Sequence, residues 1–487
     1  MKLSTLLFST LAAALIPLEL KGKRFIRPSV DAQEDGEVFF IKGIDYQPGG
    51  SSAYDSSKGV DAFTDAEACW RDAYAFQQLG INTVRVYSLN PDLNHDECVT
   101  IFNNAGIYLL LDVNNGEYGA NLNRADPQGT YNAYYMSHVF KFIDSFKNYP
   151  NVLGFFSGNE VINDDSNYAE TVPKYIRAVQ RDMKQYIAKN SNRTIPVGYS
   201  SADNTDLRRA TLEYLQCNNN DDDSQSDFFG LNSYQWCSGI SDWQSSGYDV
   251  LNSTLSNATI PLLFSEFGCN TKSPRTFDEI SDGLFGGLAY TFSGGLVYEY
   301  SEEASNYGVV EINDDYSITY LTDFTNLQSQ YKDASTPVLK SSQVTNDTKH
   351  TCDSSIITDI YSGFGADFDI PEQSNDTKWL IDNGASGAYI GSLIDDLSPR
   401  KSNYTVYDVS SNEVSSATVT FADVDKANTQ TGVVSSTAAA ATTTAAAVGT
   451  TATASTSAKT SSSKAAGVAN VGISFTGALS LILALLI

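Results

Sequence analysis

The chain has 487 residues, enough to bury a large core, and a formal net charge of -27 at pH 7. This acidic excess argues against a nucleic-acid partner, which requires a basic surface. Only three histidines are present, His95, His138 and His350, and they are widely separated. Histidine-rich metal sites and histidine-dependent triads are therefore poor candidates, and we expect no metal and no cofactor.

The first twenty residues are typical of a secretory leader. Lys2 is followed by an apolar run that contains small residues, as in signal peptides. An ordinary N-terminal helix is the alternative. No clean cleavage motif follows, so the sequence leaves open where the leader predicted at residues 1–20 is cut.

Between residues 39 and 301, short apolar runs alternate with helical patterns. A capping box at Thr64-Asp-Ala-Glu67 predicts a helix that ends near Gly80, and 132–148 and 168–190 also have helical spacing. Eight runs have the β-branched and aromatic content of strands: 39–45, 83–87, 108–113, 152–160, 195–201, 228–234, 261–268 and 294–301.

Eight strands, each followed by a crossover long enough for a helix, over about 260 residues, predict a (β/α)8 TIM barrel. We assign it to residues 36–335. A doubly wound α/β sheet is the alternative, but it usually needs fewer strands, and no G-x-G-x-x-G follows the first one.

Beyond residue 335 the pattern weakens. Residues 336–425 are predicted to be a C-terminal extension packed on the barrel, with candidate strands at 356–370 and 404–409. Residues 426–466 are rich in Ser, Thr and Ala, which predicts a disordered and O-glycosylated stalk.

The last segment, 467–487, ends in a short apolar tail without charges. Small residues before such a tail predict a GPI-attachment signal, which is removed when the lipid is added. A membrane helix is the alternative, but the tail is short for a bilayer and no basic residues follow it. The candidate attachment residues are Ser463, Gly467 and Asn470.

Glycosylation sequons and cysteines also fit a secreted chain. The sequons begin at Asn192, Asn252, Asn257, Asn346, Asn375 and Asn403. Six cysteines suit three structural disulfides in that compartment, although their spacing alone does not choose among the pairings.

The active site of a (β/α)8 barrel forms at the carboxyl ends of its strands. Glu160 follows the fourth predicted strand and Glu266 ends the seventh, so the two carboxylates are expected to face each other. Cleavage of a glycosidic bond requires one protonated carboxyl and one that attacks or activates water. Two unrelated internal salt bridges are the alternative, but they leave Asn159 unexplained; its amide suits a sugar hydroxyl.

The motifs GNE (158–160), FSEFGC (264–269), GIDYQPGG (43–50), TVRVYSLNP (83–91), YLLLDV (108–113) and NSYQWC (232–237) carry a resemblance to a known family. They are similar to those of glycoside hydrolase family 72, the fungal β-1,3-glucanosyltransferases of the cell wall. The resemblance covers residues 38–335. It implies an enzyme that cleaves a β-1,3-glucan internally and transfers the new end to another β-1,3-glucan through a covalent glycosyl-enzyme.

The resemblance also implies roles for individual residues. Glu160 is the expected general acid/base and Glu266 the expected nucleophile. The expected substrate-binding residues are Gln47, Tyr87, Asp112, Asn159, Tyr234 and Tyr298. The implied disulfides are Cys69–Cys98, Cys217–Cys352 and Cys237–Cys269. Arg85 is interpreted as structural, because we expect it on the opposite side of its strand from Tyr87.

One departure from the family is visible. Only Cys352 follows Cys269, so the chain resembles the shorter subfamily, which lacks the cysteine-rich carbohydrate-binding module.

The expected location is the outer face of the plasma membrane, through a GPI lipid, or the cell wall. The alternatives are an endo-β-1,3-glucanase and a non-catalytic glucan-binding wall protein.

Overall fold

The computed structural model describes residues 15–31, 33–50, 53–163, 168–218, 222–346 and 349–429. The predicted GPI signal with its three candidate attachment residues, nearly all of the predicted stalk, and residues 1–14 lie outside this range. Among the helices that are described, none is both long and apolar enough to cross a membrane.

Three short strands precede the barrel and form an antiparallel sheet: β1 (Glu19–Lys21), β2 (Arg24–Arg27) and β3 (Glu37–Phe39). Just before them, Leu15 and Leu18 are buried in an apolar cluster with side chains of the barrel strands. Leu15 N also donates to Asn103 Oδ1 at 3.1 Å. A cut at residue 20 would remove these buried side chains and most of β1, and the leader at residues 1–20, whose cut site the sequence leaves open, stays a prediction.

Eight parallel strands close into a barrel, in which the last strand pairs with the first. They are β4 (Ile41–Asp45), β5 (Thr83–Val86), β6 (Tyr108–Asp112), β7 (Val152–Asn159), β8 (Val197–Ala202), β9 (Phe228–Ser233), β10 (Leu262–Phe267) and β11 (Phe292–Val297). Each of the eight predicted strands is present, and the (β/α)8 prediction is confirmed.

Helices connect the strands on the outside of the barrel. They are α1 (Ala66–Leu79), α2 (Asp96–Asn104), α3 (Pro127–Thr130), α4 (Ala133–Phe146), α5 (Tyr168–Thr171), α6 (Pro173–Asn190), α7 (Arg208–Gln216) and α8 (Tyr248–Leu255). A π-helical segment, Glu279–Gly287, connects β10 to β11. The hairpin β12 (Val310–Ile312) and β13 (Ile318–Tyr320) then leads to α9 (Thr322–Asp333).

The start of α1 differs from the predicted capping box by one residue. Asp65 caps the helix, because its Oδ1 accepts from Glu67 N at 3.0 Å and from Ala68 N at 3.3 Å. Thr64 Oγ1 donates to the Asp61 carbonyl instead. The Glu67 side chain pairs with Arg400 of the extension at 2.7 Å. A local hydrogen bond to Asp61 therefore occupies the Thr64 side chain, and an ion pair with Arg400 of the extension occupies the Glu67 side chain.

The extension contains α10 (Ser354–Ile360), α11 (Asn375–Asn383) and β14 (Val406–Tyr407). The strand predicted at 356–370 is wrong, because α10 begins there with Asp353 Oδ1 accepting from Ser355 N at 2.9 Å. The strand predicted at 404–409 is confirmed by β14, which pairs with β13. The extension packs on the barrel helices, for example through the stacked rings of Trp70 and Phe421.

The structure contains the three disulfides that the family resemblance implies. Cys69–Cys98 joins α1 to α2, and Cys217–Cys352 holds the extension to the end of α7. Cys237–Cys269 joins the loop after β9 to the loop after β10. The third bridge therefore lies beside the carboxyl end of the barrel, where the predicted site residues converge.

All six sequon asparagines are described, and none lies in the loops that directly follow β7 or β10. Asn192, Asn257, Asn346, Asn375 and Asn403 are exposed. Asn252 is half-buried, and its Oδ1 accepts from Thr291 Oγ1 at 2.5 Å.

Candidate active site

Glu266 lies near the carboxyl end of β10 and is only 5% exposed. Three groups donate to its carboxylate. Tyr87 OH reaches Oε1 at 3.0 Å, Arg85 Nη1 reaches Oε1 at 3.3 Å, and Tyr234 OH reaches Oε2 at 2.8 Å. Both oxygens therefore have donors that favour the ionised form.

Arg85 lies inside the site, so its interpretation as a residue that faces away from Tyr87 is wrong. Residues two apart on a strand share a face, and the guanidinium stacks over the Tyr87 ring at 4.4 Å. Arg85 Nε and Nη2 also donate to the two carboxylate oxygens of Asp112 at 3.0 and 2.8 Å. Asp112 therefore orients Arg85, and a direct contact of Asp112 with substrate stays a prediction.

Glu160 follows β7 in the left-handed backbone region, with a φ of 49°. Few residues other than glycine adopt this conformation, which carries strain and is common at functional sites. The half-buried side chain accepts at Oε1 from Asn232 Nδ2 at 2.9 Å. The same amide contacts Asn159 Oδ1 at 3.1 Å, so Asn159 and Glu160 share one partner.

Electrostatics couple the two glutamates. Burial raises the pKa of Glu266 to about 7; Arg85 opposes this shift, and the negative charge of Glu160 adds to it. The hydroxyl groups of Tyr234 and Tyr87 also lower this pKa. The charge on Glu160 therefore makes ionisation of Glu266 less favourable.

Two further carboxyls lie next to this pair. Asp45, at the end of β4, is fully buried, and neither of its oxygens has a hydrogen-bond partner among the described residues. Burial raises the pKa of Asp45 well above its usual range. Burial, together with the charges of Glu303 and Glu266, raises the pKa of Glu299 to about 8. Burial therefore favours the protonated form of both groups.

Aromatic rings surround the Glu266 carboxylate. Tyr298 makes edge contacts with Tyr87, Tyr234 and Tyr307, with ring centroids 6.5, 6.3 and 5.3 Å apart. Gln47 lies beside this cluster, and its Oε1 accepts from Ser88 N at 3.0 Å in the loop after β5. Such rings offer flat apolar surfaces with polar edges, as sugar-binding sites require.

The structure thus brings all eight predicted catalytic and substrate-binding residues to one end of the barrel, although their roles stay predictions. It adds three residues that the sequence reasoning did not place in the site: Arg85, Asn232 and Tyr307. Strand alternation could have found the first two, because Arg85 precedes Tyr87 by two residues and Asn232 precedes Tyr234 by two. Tyr307 lies in a loop after β11, where no periodicity indicates its direction.

Comparisons with known proteins give a family match and several similar relatives. Residues 7–335 match the family described as Glucanosyltransferase. A Saccharomyces cerevisiae protein named "Probable 1,3-beta-glucanosyltransferase GAS3" is 60% identical over 431 residues, which cover 86% of this chain and 82% of that protein. The 1,3-beta-glucanosyltransferase gel2 of Aspergillus fumigatus is 49% identical over 390 residues, covering 80% of this chain and 79% of its own length.

A solved structure is also similar. It is a glutamate-to-glutamine mutant of Saccharomyces cerevisiae Gas2p in complex with laminaritetraose and laminaripentaose. The TM-score is 0.64 at 33% identity, covering 75% of this chain and 76% of that chain.

Proposed function

This chain belongs to the glucanosyltransferase family, and we propose that it is a retaining 1,3-β-glucanosyltransferase in which Glu266 is the nucleophile and Glu160 the general acid/base. Donor and acceptor are both β-1,3-glucan chains. The relatives named above as 1,3-β-glucanosyltransferases, and the Gas2p complex with two laminari-oligosaccharides, support this substrate class.

The unequal hydrogen bonding of the two glutamates carries the assignment of roles. Glu266 accepts from two tyrosine hydroxyls and from a guanidinium, all of which stabilise a carboxylate. Among the described residues, Glu160 accepts only from the neutral amide of Asn232. We therefore assign the attacking carboxylate to Glu266, whose donors stabilise its ionised form, and the acid/base role to Glu160.

In the first step, a Glu266 oxygen bonds to the anomeric carbon of the donor while the bond from that carbon to the glycosidic oxygen breaks. Glu160 gives its proton to the departing oxygen, and the fragment on the reducing-end side leaves. Arg85, Tyr87 and Tyr234 hold the attacking carboxylate in place, because they already donate to it before substrate binds.

In the second step, the Glu160 carboxylate takes the proton from a hydroxyl of the acceptor glucan. The resulting oxygen bonds to the anomeric carbon, and the ester bond to Glu266 breaks. Two inversions leave the new linkage in the β configuration. The donor segment has then become part of a longer glucan.

Transfer requires that an acceptor sugar outcompetes water for the intermediate. The tyrosine cluster around Glu266 supports this, because stacked and hydrogen-bonded sugars reach a high effective concentration.

An endo-β-1,3-glucanase would instead release only shorter products. The protein should therefore be incubated with reduced laminari-oligosaccharides of one length, and the products sized. Products longer than the substrate support transfer, and exclusively shorter products refute it.

The roles of the two glutamates need a separate experiment. Glu160→Ala and Glu266→Ala should both abolish turnover of laminari-oligosaccharides. With a donor whose leaving group needs no proton, such as a dinitrophenyl glucoside, Glu160→Ala should still release dinitrophenol, whereas Glu266→Ala should not. Release by the Glu266 variant alone would reverse the assignment, and full activity of either variant would refute it.

For localisation, we infer a secreted protein held at the outer face of the plasma membrane by a GPI lipid. The end of the described chain lies near the amino ends of two barrel strands. Asn428 N donates to the Gly106 carbonyl, and Asn428 Nδ2 donates to the Ile81 carbonyl, directly before β6 and β5. Asn428 therefore lies at the end of the barrel opposite Glu160 and Glu266. Release from cells by phosphatidylinositol-specific phospholipase C tests the lipid.

A further inference from the structure

Tyr118 and Tyr134 are two large side chains that lie exposed next to each other. Tyr118 is 94% exposed and Tyr134 is 67% exposed, and their ring centroids are 6.4 Å apart. Tyr118 lies in the loop that follows β6, and Tyr134 lies in the first turn of α4. The loop after β6 and the start of α4 both lie at the carboxyl end of the barrel, where substrate is expected, and the two neighbouring rings form an exposed aromatic surface there.

The turn that carries Tyr118 is held by hydrogen bonds. Asn115 N donates to the Ala120 carbonyl at 3.0 Å, and Asn121 Nδ2 donates to the Asn115 carbonyl at 2.9 Å. Glu117 Oε1 accepts from Ser56 N at 2.8 Å, which ties the turn to the loop after β4. The exposed ring is therefore held on a fixed backbone.

Gly119 allows the two rings to approach each other. Its φ is 79°, in the left-handed region that favours glycine. A Cβ atom at this position would lie 2.1 Å from the Tyr134 ring. A larger residue would therefore displace Tyr134 or the turn.

The pair is also connected to the strands of the catalytic site. Tyr135, next to Tyr134 on α4, donates its hydroxyl proton to Asn114 Oδ1 at 2.6 Å. Asn114 Nδ2 donates to the Ser157 carbonyl at 2.9 Å, in the strand that leads to Glu160. The position of the two rings is thereby fixed relative to β6 and β7.

We propose that Tyr118 and Tyr134 form a distal subsite that binds a glucose unit of the β-1,3-glucan chain, away from the bond that is cleaved. This inference rests on the proposed function. One face of a β-linked glucose unit presents C–H groups that pack on an aromatic ring, while its hydroxyls remain available to the tyrosine hydroxyls and water. The ligand is neutral, as suits a site on a strongly acidic protein.

A binding experiment tests the subsite without turnover. The parent is the full chain with Glu266→Gln, titrated calorimetrically with laminari-oligosaccharides of increasing length. Tyr118→Ala and Tyr134→Ala in this parent should weaken binding of the longest oligosaccharides about three- to tenfold, the usual range for one aromatic stacking contact. Binding of the shortest ligands should not change. Tyr290→Ala is the matched control, because Tyr290 is 68% exposed but lies just before β11, at the opposite end of the barrel.

In the active enzyme, the same substitutions should raise KM for long substrates and leave kcat unchanged. Equal affinity of variants and parent at every length overturns the subsite, as does an equal loss at every length. If wild-type protein makes longer products but the variants bind normally, only the subsite is refuted. If wild-type protein makes only shorter products, but Tyr118→Ala still weakens binding of long oligosaccharides alone, then only transfer is refuted.

Discussion

Arg85 and Glu266 form an ion pair at 3.3 Å inside the barrel, with the arginine side chain fully buried and the glutamate side chain 7% exposed. The same guanidinium binds Asp112 with two hydrogen bonds. One buried guanidinium thus forms ion pairs with two buried carboxylates. An arrangement of this kind is strongly destabilised when one partner is removed, because the remaining charges lose their compensation.

Arg85→Leu should therefore reduce both stability and activity. The unfolding free energy should fall by about 3 to 5 kcal/mol, as when one partner of a buried ion pair is lost. The pKa of Glu266 should rise, because Arg85 lowers it in the native site, and the acidic limb of kcat/KM should move to higher pH. Urea unfolding and pH profiles measure the two effects.

Arg177→Lys is the control for this variant, since Arg177 is buried between α6 and α7 and donates to the Tyr214 carbonyl at 2.7 Å. It should lose stability without a shift in the pH profile. An Arg85→Leu enzyme with the wild-type profile would contradict the electrostatic role of Arg85.

Tyr234→Phe tests the hydroxyl that donates to Glu266. Below its pKa of about 7 the Glu266 carboxyl is protonated and unable to attack, so kcat/KM should fall as pH decreases through this value. Without the Tyr234 donor the ionised form of Glu266 is less stable, so the acidic limb should move to higher pH.

Tyr214→Phe provides the comparison, because the Tyr214 hydroxyl donates to the Asp367 carbonyl in the extension, away from the site. Its profile should match that of the wild type. A shift of the Tyr234→Phe acidic limb to lower pH would contradict the assignment of Glu266 as the ionised partner.

Much of the fold could be predicted because burial and periodicity are local properties of the sequence. The eight strands are nearly continuous apolar runs, since a parallel barrel buries both faces of each strand. The strand predicted at 356–370 failed because its apolar residues belong partly to α10, where Ile357 is buried and Ile356 is 52% exposed. The helical cap at Asp353 was the stronger local indication.

The site was predictable where strands determine the direction of a side chain. Glu160, Glu266 and Tyr234 follow from strand ends and from the family motifs. The contact between Asn232 and Glu160 was not predictable in the same way, because it depends on the relative register of β7 and β9, which are separated by β8 in the barrel. Register across a barrel is a tertiary property.

Asp45→Asn should preserve the fold and most of the activity. Both Asp45 oxygens lack partners among the described residues, and burial raises the pKa of this carboxyl well above its usual range, which favours the neutral form. An amide of the same shape imitates that neutral form. A loss of turnover as complete as that of Glu266→Ala would show that Asp45 takes part in the chemistry.

The same substitution should change how stability depends on pH. A carboxyl whose folded pKa is raised stabilises the protein below its unfolded pKa, and this contribution is lost as pH rises through the folded pKa. Glu266 and Glu299, with pKa values of about 7 and 8, act in the same direction. The unfolding free energy should therefore fall as pH rises from about 4.5 to 8, and Asp45→Asn should make this dependence weaker. A steeper dependence in the variant would contradict a neutral Asp45.

The Cys237–Cys269 disulfide should affect activity as well as stability. Its two cysteines are 32 residues apart, and those of Cys69–Cys98 are 29 apart, so both bridges should remove similar loop entropy from the unfolded chain. Each double Cys→Ala variant should lose about 3 to 4 kcal/mol of unfolding free energy from this effect. Only Cys237–Cys269 joins the loops that follow Tyr234 and Glu266, whereas Cys69–Cys98 joins two outer helices. Steady-state kinetics should therefore show a higher KM and lower kcat for Cys237→Ala/Cys269→Ala than for Cys69→Ala/Cys98→Ala, and equal kinetics in the two variants would show that the bridge does not position the site.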